Sequence, residues 1–139
     1  MRYVLDTNIL VAGLRSPAGA SAALLEQALA GAFAPLLSVP LVLEYEATCC
    51  HPEHLAAAGL DEAEVRAVID ALCDVAETVT PHFLWRPVLR DAADEMVLEA
   101  AINGRADALV TFNRRHFAGA DRFGIDLLGP ANALRRLET

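Results

Sequence analysis

Arg2-Tyr3-Val4-Leu5-Asp6-Thr7-Asn8-Ile9-Leu10 is the stretch on which the fold turns. Its apolar run stops at a carboxylate, and Ile9, Leu10 and Gly13 then recur at helical spacing. The pattern predicts a short buried strand over Arg2 to Leu5 and a helix over Thr7 to Leu14. Asp6 falls at the junction. Aspartate is a favoured helix N-cap, so capping is one reading of it. A strand-end carboxylate that does chemistry is the other.

The alternation continues along the chain. Ser21 to Ala30 reads as a helix ended by Gly31, and Leu36 to Val39 as a second short strand. Pro40 opens a helix carrying Leu43, Glu44 and Ala47, at a position where its missing N–H costs nothing. Pro52 interrupts. The clearest helix is Asp61 to Ala76, with Val65, Val68, Ile69, Leu72 and Ala76 in one stripe and Glu62, Glu64, Asp70 and Asp74 opposite. Glu77 to Val79 reads as a strand and Asp91 to Asn103 as a helix closed by Gly104. Ala108 to Thr111 is a buried strand, and Ala131 to Leu137 a final helix. Short, continuously apolar strands between helices are the pattern of a parallel sheet covered on both faces. The 139 residues contain no repeat or linker, which predicts a single α/β domain over 1–139.

Composition bounds the class. At 55% hydrophobic and 22% charged residues, a disordered chain is excluded. Cys49, Cys50 and Cys73 are odd in number and two are adjacent, a poor geometry for a disulfide, so a reducing cytoplasm is expected. Asp6 breaks the apolar run that a signal peptide needs. No apolar stretch reaches the roughly 18–20 residues of a membrane span.

The net charge is −8 and every basic residue is Arg. Taken whole, that balance argues against nucleic acid. Its distribution does not. Residues 53–77 hold seven acids against Arg66, whereas residues 105–139 hold six Arg against four acids. The acidic face of the 61–76 helix is either a solvated face or a docking surface for a basic partner segment. Leu134 and Leu137 on the last helix are candidates for a dimer contact.

In a parallel sheet, ligands bind beyond the carboxyl ends of the strands. Asp6 ends the first strand, and Thr111 and Asn113 end the last clear one, so distant segments can meet at one edge. Glu44 reads either as a solvated helix residue or as a site acid. Asp91 and Asp94 are three apart, with Glu95 beside them, on nearly one face of a helix start. Capping and dipole stabilisation account for Asp91 alone. Converging carboxylates repel one another unless a cation lies between them, and oxygen-rich clusters suit Mg²⁺ or Mn²⁺. Such an ion lowers the pKa of a bound water and stabilises charge on a phosphodiester. Arg114 and Arg115 come directly after Asn113 and read as a solvated turn or as phosphate contacts.

Weaker patterns fall away. Cys49, Cys50, His51 and His54 lack a second ligand pair at zinc-finger spacing. No glycine-rich phosphate loop and no nucleophile elbow is present. Phe83 and Trp85 read as core or edge anchors. A dehalogenase-like phosphatase needs a second Asp two residues after the first, and Asn8 occupies that place.

Val4-Leu5-Asp6-Thr7-Asn8 resembles the opening of PIN domains. Leu41-Val42-Leu43-Glu44-Tyr45 is similar to their second acidic motif. Arg90-Asp91-Ala92-Ala93-Asp94, with Leu98-Glu99-Ala100-Ala101 after it, is similar to their third, and Ala106 to Phe117 resembles their fourth. The motifs stand in family order from residue 3 to about 117, and the best likeness is to the VapC-like toxins of bacterial toxin–antitoxin systems.

The resemblance implies a three-layer α/β/α sandwich with a short, mainly parallel central sheet. It also implies a metal-dependent endoribonuclease using Mg²⁺ or Mn²⁺. Asp6, Glu44, Asp94 and Asp91 would be the catalytic, metal-holding acids, supported by Thr7, Asn8, Thr111 and Asn113, with Arg114 and Arg115 on the RNA. A cognate antitoxin and a homodimer are the usual partners. Asn113 stands where many members have Asp, and His116 where an acid is common. These two departures motivate the alternative, a PIN-like module that binds RNA or a partner without cutting.

Overall fold

The computed structural model describes residues 1–80 and 92–138. Asp91, Phe83 and Trp85 therefore lie outside the described residues. In chain order the elements are β1 (Arg2–Leu5), α1 (Thr7–Arg15), α2 (Ala20–Leu29), β2 (Ala34–Leu37), α3 (Val39–Cys49), α4 (Pro52–Ala58) and α5 (Glu62–Val75). They continue with β3 (Glu77–Thr78), α6 (Ala92–Asn103), β4 (Ala108–Val110), β5 (Asp126–Leu128) and α7 (Pro130–Leu137). Two 3₁₀ turns, Arg114–Phe117 and Ala120–Phe123, lie between β4 and β5.

The strands form one sheet in the order β3-β2-β1-β4-β5, and every pairing is parallel. The expectation of a mainly parallel sheet flanked by helices is thus met, with seven α-helices among the described residues. Chain order runs outward from β1 through β2 to β3 on one side, then returns to β4 and β5 on the other. The order of strand addition reverses between β1 and β4, and such a switch point opens a crevice at the carboxyl ends of the strands.

β1 is central and, beyond Arg2, buried: Tyr3 and Val4 are 0% exposed and Leu5 2%. A phenol buried that deeply needs a partner. The Tyr3 hydroxyl donates to the Ala133 carbonyl at 2.9 Å and ties β1 to α7. The expected stripe of the acidic helix is also present, because Val65, Ile69 and Leu72 of α5 are buried. Asp61 caps that helix in a capping box with Glu64. Arg66 pairs with Glu62 at 2.9 Å and with Glu46 at 3.0 Å, so part of the acidic face is met within the chain.

Four sequence readings shift. The second strand runs over Ala34–Leu37 rather than Leu36 to Val39, and Ser38 caps α3 through the Leu41 N–H. Pro35 is accommodated inside a sheet because the neighbouring Ala34 N–H donates to Met1 on the β1 side. Alternation turns the missing N–H of Pro35 toward β3, whose pairing starts only at Leu36. Pro52 opens α4 instead of merely interrupting the chain. The β5 strand carries no readable signal, having three residues of which Asp126 is exposed. Leu134 and Leu137 are partly buried against the chain's own core.

Candidate functional site

Asp6 sits just beyond the carboxyl end of β1, with 7% of its surface exposed. The capping reading of it holds. It is the N-cap of α1, and its Oδ1 accepts from the Thr7 N–H at 2.8 Å. Its Oδ2 accepts from the Thr111 hydroxyl at 2.6 Å, across 105 residues of sequence. These donors are neutral, so they orient the carboxylate without carrying charge to offset it. Register explains the meeting. Leu5 pairs with Val110, so the next residue of each strand, Asp6 and Thr111, emerges side by side at the switch point.

The Asn113 N–H donates to Thr111 Oγ1 at 2.9 Å, which fastens the first 3₁₀ turn to the same hydroxyl. Within that turn, His116 Nδ1 lies 3.5 Å from Asp94 Oδ2, an ion pair when the imidazole is protonated. Asp94 has 16% of its side chain exposed and stands in the first turn of α6, which packs on β1, β4 and α3. A continuous set of contacts thus runs from Asp6 through Thr111 and Asn113 to the turn that holds His116, and on to Asp94. In the sequence His116 reads only as a departure from the motif; its proximity to Asp94 is a tertiary property with no local signal.

Tyr45 is a supporting residue that the sequence motifs do not single out. It lies between Glu44 and Glu46 on α3, and with Leu41 and Cys49 it forms the buried stripe of that helix. Its hydroxyl donates to the Leu5 carbonyl, which fixes α3 against the end of β1 next to Asp6. Burial pushes the Tyr45 phenol well above its ordinary value, and the negative charge of Asp6 adds to the shift. The i, i+4 spacing of Leu41, Tyr45 and Cys49 is the signal that could have found it.

Glu44, one residue from Tyr45, is half-buried and accepts from the Thr48 hydroxyl at 3.1 Å. Thr7 is half-buried, and Asn8 presents an Oδ1 that is buried and accepts no hydrogen bond among the described residues. Phe112, Asn113, Arg114, Arg115 and His116 line a cavity of about 320 Å³.

Among the described residues, no three His, Cys, Asp or Glu side chains lie close enough to hold a metal ion. Magnesium does not require three, since it keeps several waters and is commonly held by one or two carboxylates. The Asp6 carboxylate and the orphaned Asn8 Oδ1 are each oxygen donors of the type a hard divalent cation takes.

A family model for the PIN domain matches residues 2–115, from β1 through the turn that carries Arg114 and Arg115. No curated protein and no solved structure matches the chain. The matched span includes both strands of the switch point, Asp6, Glu44, Asp94 and Thr111, and so this chain belongs to the PIN domain family.

Proposed function

We propose that the protein is a metal-dependent endoribonuclease acting as the toxin of a toxin–antitoxin system. PIN domains are generally nucleases and typically use divalent metals. The observation that carries the reading is Asp6: buried, oriented from two sides and seated at the switch point of a parallel sheet.

Mg²⁺ or Mn²⁺, when bound, would activate a water and stabilise charge on the scissile phosphodiester. Asp6, Glu44, Asp91 and Asp94 are the acids assigned to hold it. Thr7 and Thr111 fix the rotamer of Asp6, so its oxygens need not reorganise when substrate arrives. Thr111 also anchors Asn113 and thereby the turn carrying Arg114 and Arg115, which would draw RNA phosphates to the edge of the site. No helix among the described residues is long and apolar enough to cross a membrane. The exposed acids of α5 suit a basic antitoxin segment, and a homodimer is the proposed assembly.

The test is cleavage of RNA by the purified protein with Mn²⁺, with EDTA, and by Asp6→Asn. The proposal expects cleavage only by the wild type with metal. Cleavage that survives both EDTA and the substitution overturns it. A second reading, an RNA- or partner-binding module that does not cut, is favoured by Asn113 and His116, which stand where acidic residues are common in the family. Calorimetric titration with Mn²⁺ separates the two. A heat that Asp6→Asn abolishes supports the enzyme, and no heat supports the module.

A further inference from the structure

Tyr3 and Tyr45 are both buried, and each hydroxyl donates to a backbone carbonyl. Tyr3 bonds Ala133 on α7, a helix that carries none of the assigned acids. Tyr45 bonds Leu5, the last residue of β1. The Leu5 carbonyl belongs to the peptide unit that joins Leu5 to Asp6. The N–H of the same unit donates to the Val110 carbonyl on β4 at 2.9 Å. A trans peptide unit is planar, with its C=O and N–H on opposite edges. The unit in front of Asp6 is therefore held from both edges, by β4 on one and by Tyr45 of α3 on the other.

Tyr45 stands directly after Glu44 on that helix. Adjacent helical residues keep a fixed rise and rotation, so the bond that fixes Tyr45 also fixes the backbone of Glu44. One turn further on, the half-buried Thr48 donates its hydroxyl to Glu44 Oε1 at 3.1 Å. One phenol thus ties the backbone of one acid to the backbone of another, and a second hydroxyl orients the carboxylate of Glu44. Phenylalanine would fill the site of Tyr45 as well and would make no such tie.

We propose that Tyr45 and Thr48 are positioning residues for the divalent cation: Tyr45 sets the Glu44 helix against the peptide that carries Asp6, and Thr48 orients the Glu44 carboxylate. The inference rests on the metal reading of this site and adds to it two residues that supply no ligand of their own. Partners that orient ligands are commonly worth about 10–100-fold in metal affinity. Their contribution is preorganisation, since acids already held in place need not be ordered when the ion binds.

The experiment is addition of Mn²⁺ to the full chain without RNA, read by the electron paramagnetic resonance signal of the free ion. Tyr45→Phe removes only the hydroxyl. Tyr3→Phe removes an equivalent buried bond from the same strand and is the control for a loss of stability alone. Tyr45→Phe is expected to weaken Mn²⁺ binding by about 10–100-fold, whereas Tyr3→Phe binds as the wild type does. Thr48→Val weakens binding by about ten-fold and Thr48→Ser restores it. In a Glu44→Ala background Thr48→Val has no further effect, because the carboxylate it orients is gone. Unchanged affinity in Tyr45→Phe overturns the proposal, and so does an equal loss in Tyr3→Phe. If circular dichroism shows Tyr45→Phe unfolded, Thr48→Val decides, and unchanged affinity there overturns the proposal. Wild-type binding indifferent to both hydroxyls removes the positioning roles and leaves the metal; a wild type that binds no Mn²⁺ removes the metal reading and the proposal with it.

Discussion

Replacing Thr111 by Val isolates the bond on which the site's geometry rests. The substitution keeps the β-branched shape of a residue 1% exposed and removes only the hydroxyl. Two contacts go with it: the 2.6 Å bond to Asp6 Oδ2 and the 2.9 Å bond from the Asn113 N–H. Asn113 is exposed, so water can replace the second partner at little cost. Asp6 is buried, and a hydrogen bond to a charged group is worth about 1.5–3 kcal/mol. For 139 residues the entropy of unfolding is about 0.29 kcal/mol/K, so the melting temperature should fall by about 5–10 °C. Thr111→Ser, which keeps the hydroxyl and loses a methyl, should lose about 1 kcal/mol. The assay is equilibrium denaturation in urea at neutral pH, with Asp6→Asn as the second arm of a double-mutant cycle. Coupling of about 1 kcal/mol or more is expected between the two positions. Purely additive effects, or a serine variant less stable than the valine one, would falsify the claim that the hydroxyl acts through Asp6.

Separate parts of the molecule give three further expected outcomes. In Gly104→Ala the new Cβ would lie 2.7 Å from Leu36 Cδ1, 2.8 Å from Val79 Cγ2 and 2.9 Å from the Ala100 carbonyl, so urea denaturation should show a loss of about 1–3 kcal/mol; unchanged stability would mean β2 yields freely there. Burial pushes the Cys49 thiol up from 9.0 to about 12, so the folded state favours the neutral form. That contribution is complete below pH 9 and is lost as pH rises toward 12; stability measured over this range should fall, and less steeply in Cys49→Ala. Mn²⁺ at a hundred times its own dissociation constant should stabilise the wild type by about 2.7 kcal/mol in thermal melts and leave Asp6→Asn unmoved; an equal shift in both removes Asp6 from the metal.

Much of the candidate site is legible in the sequence because its parts obey local rules. The Tyr3-Val4-Leu5 run and the Asp after it set a buried strand and a cap within a few residues of each other, and both are present. The α5 stripe arises from a spacing of 3.6, and its capping box from Asp61 and Glu64 alone. Pro52 is ambiguous in sequence because proline signals a break and a helix start with the same residue, and only the Glu53 to Ala58 segment beyond it decides between them. The β2 boundary slips for a related reason: Pro35 lies inside the strand, and only the register shows that pairing with β3 starts beyond it, at Leu36.

The sequence by itself determined the alternation of short apolar strands with helices, the acids at element ends and the basic turn after β4. These depend on neighbours within a turn or two of chain. Only the tertiary structure decided that β1 lies between β2 and β4, so that Asp6 meets Thr111, and that the first 3₁₀ turn brings His116 to Asp94. Those meetings depend on strand order and on a parallel register spanning more than a hundred residues. A one-residue slip of β4 would turn Thr111 to the opposite face, and no local pattern of residues encodes against it. The same register leaves the ring of Phe112 in solvent and the carboxylate of Asp6 buried beside the neighbouring hydroxyl.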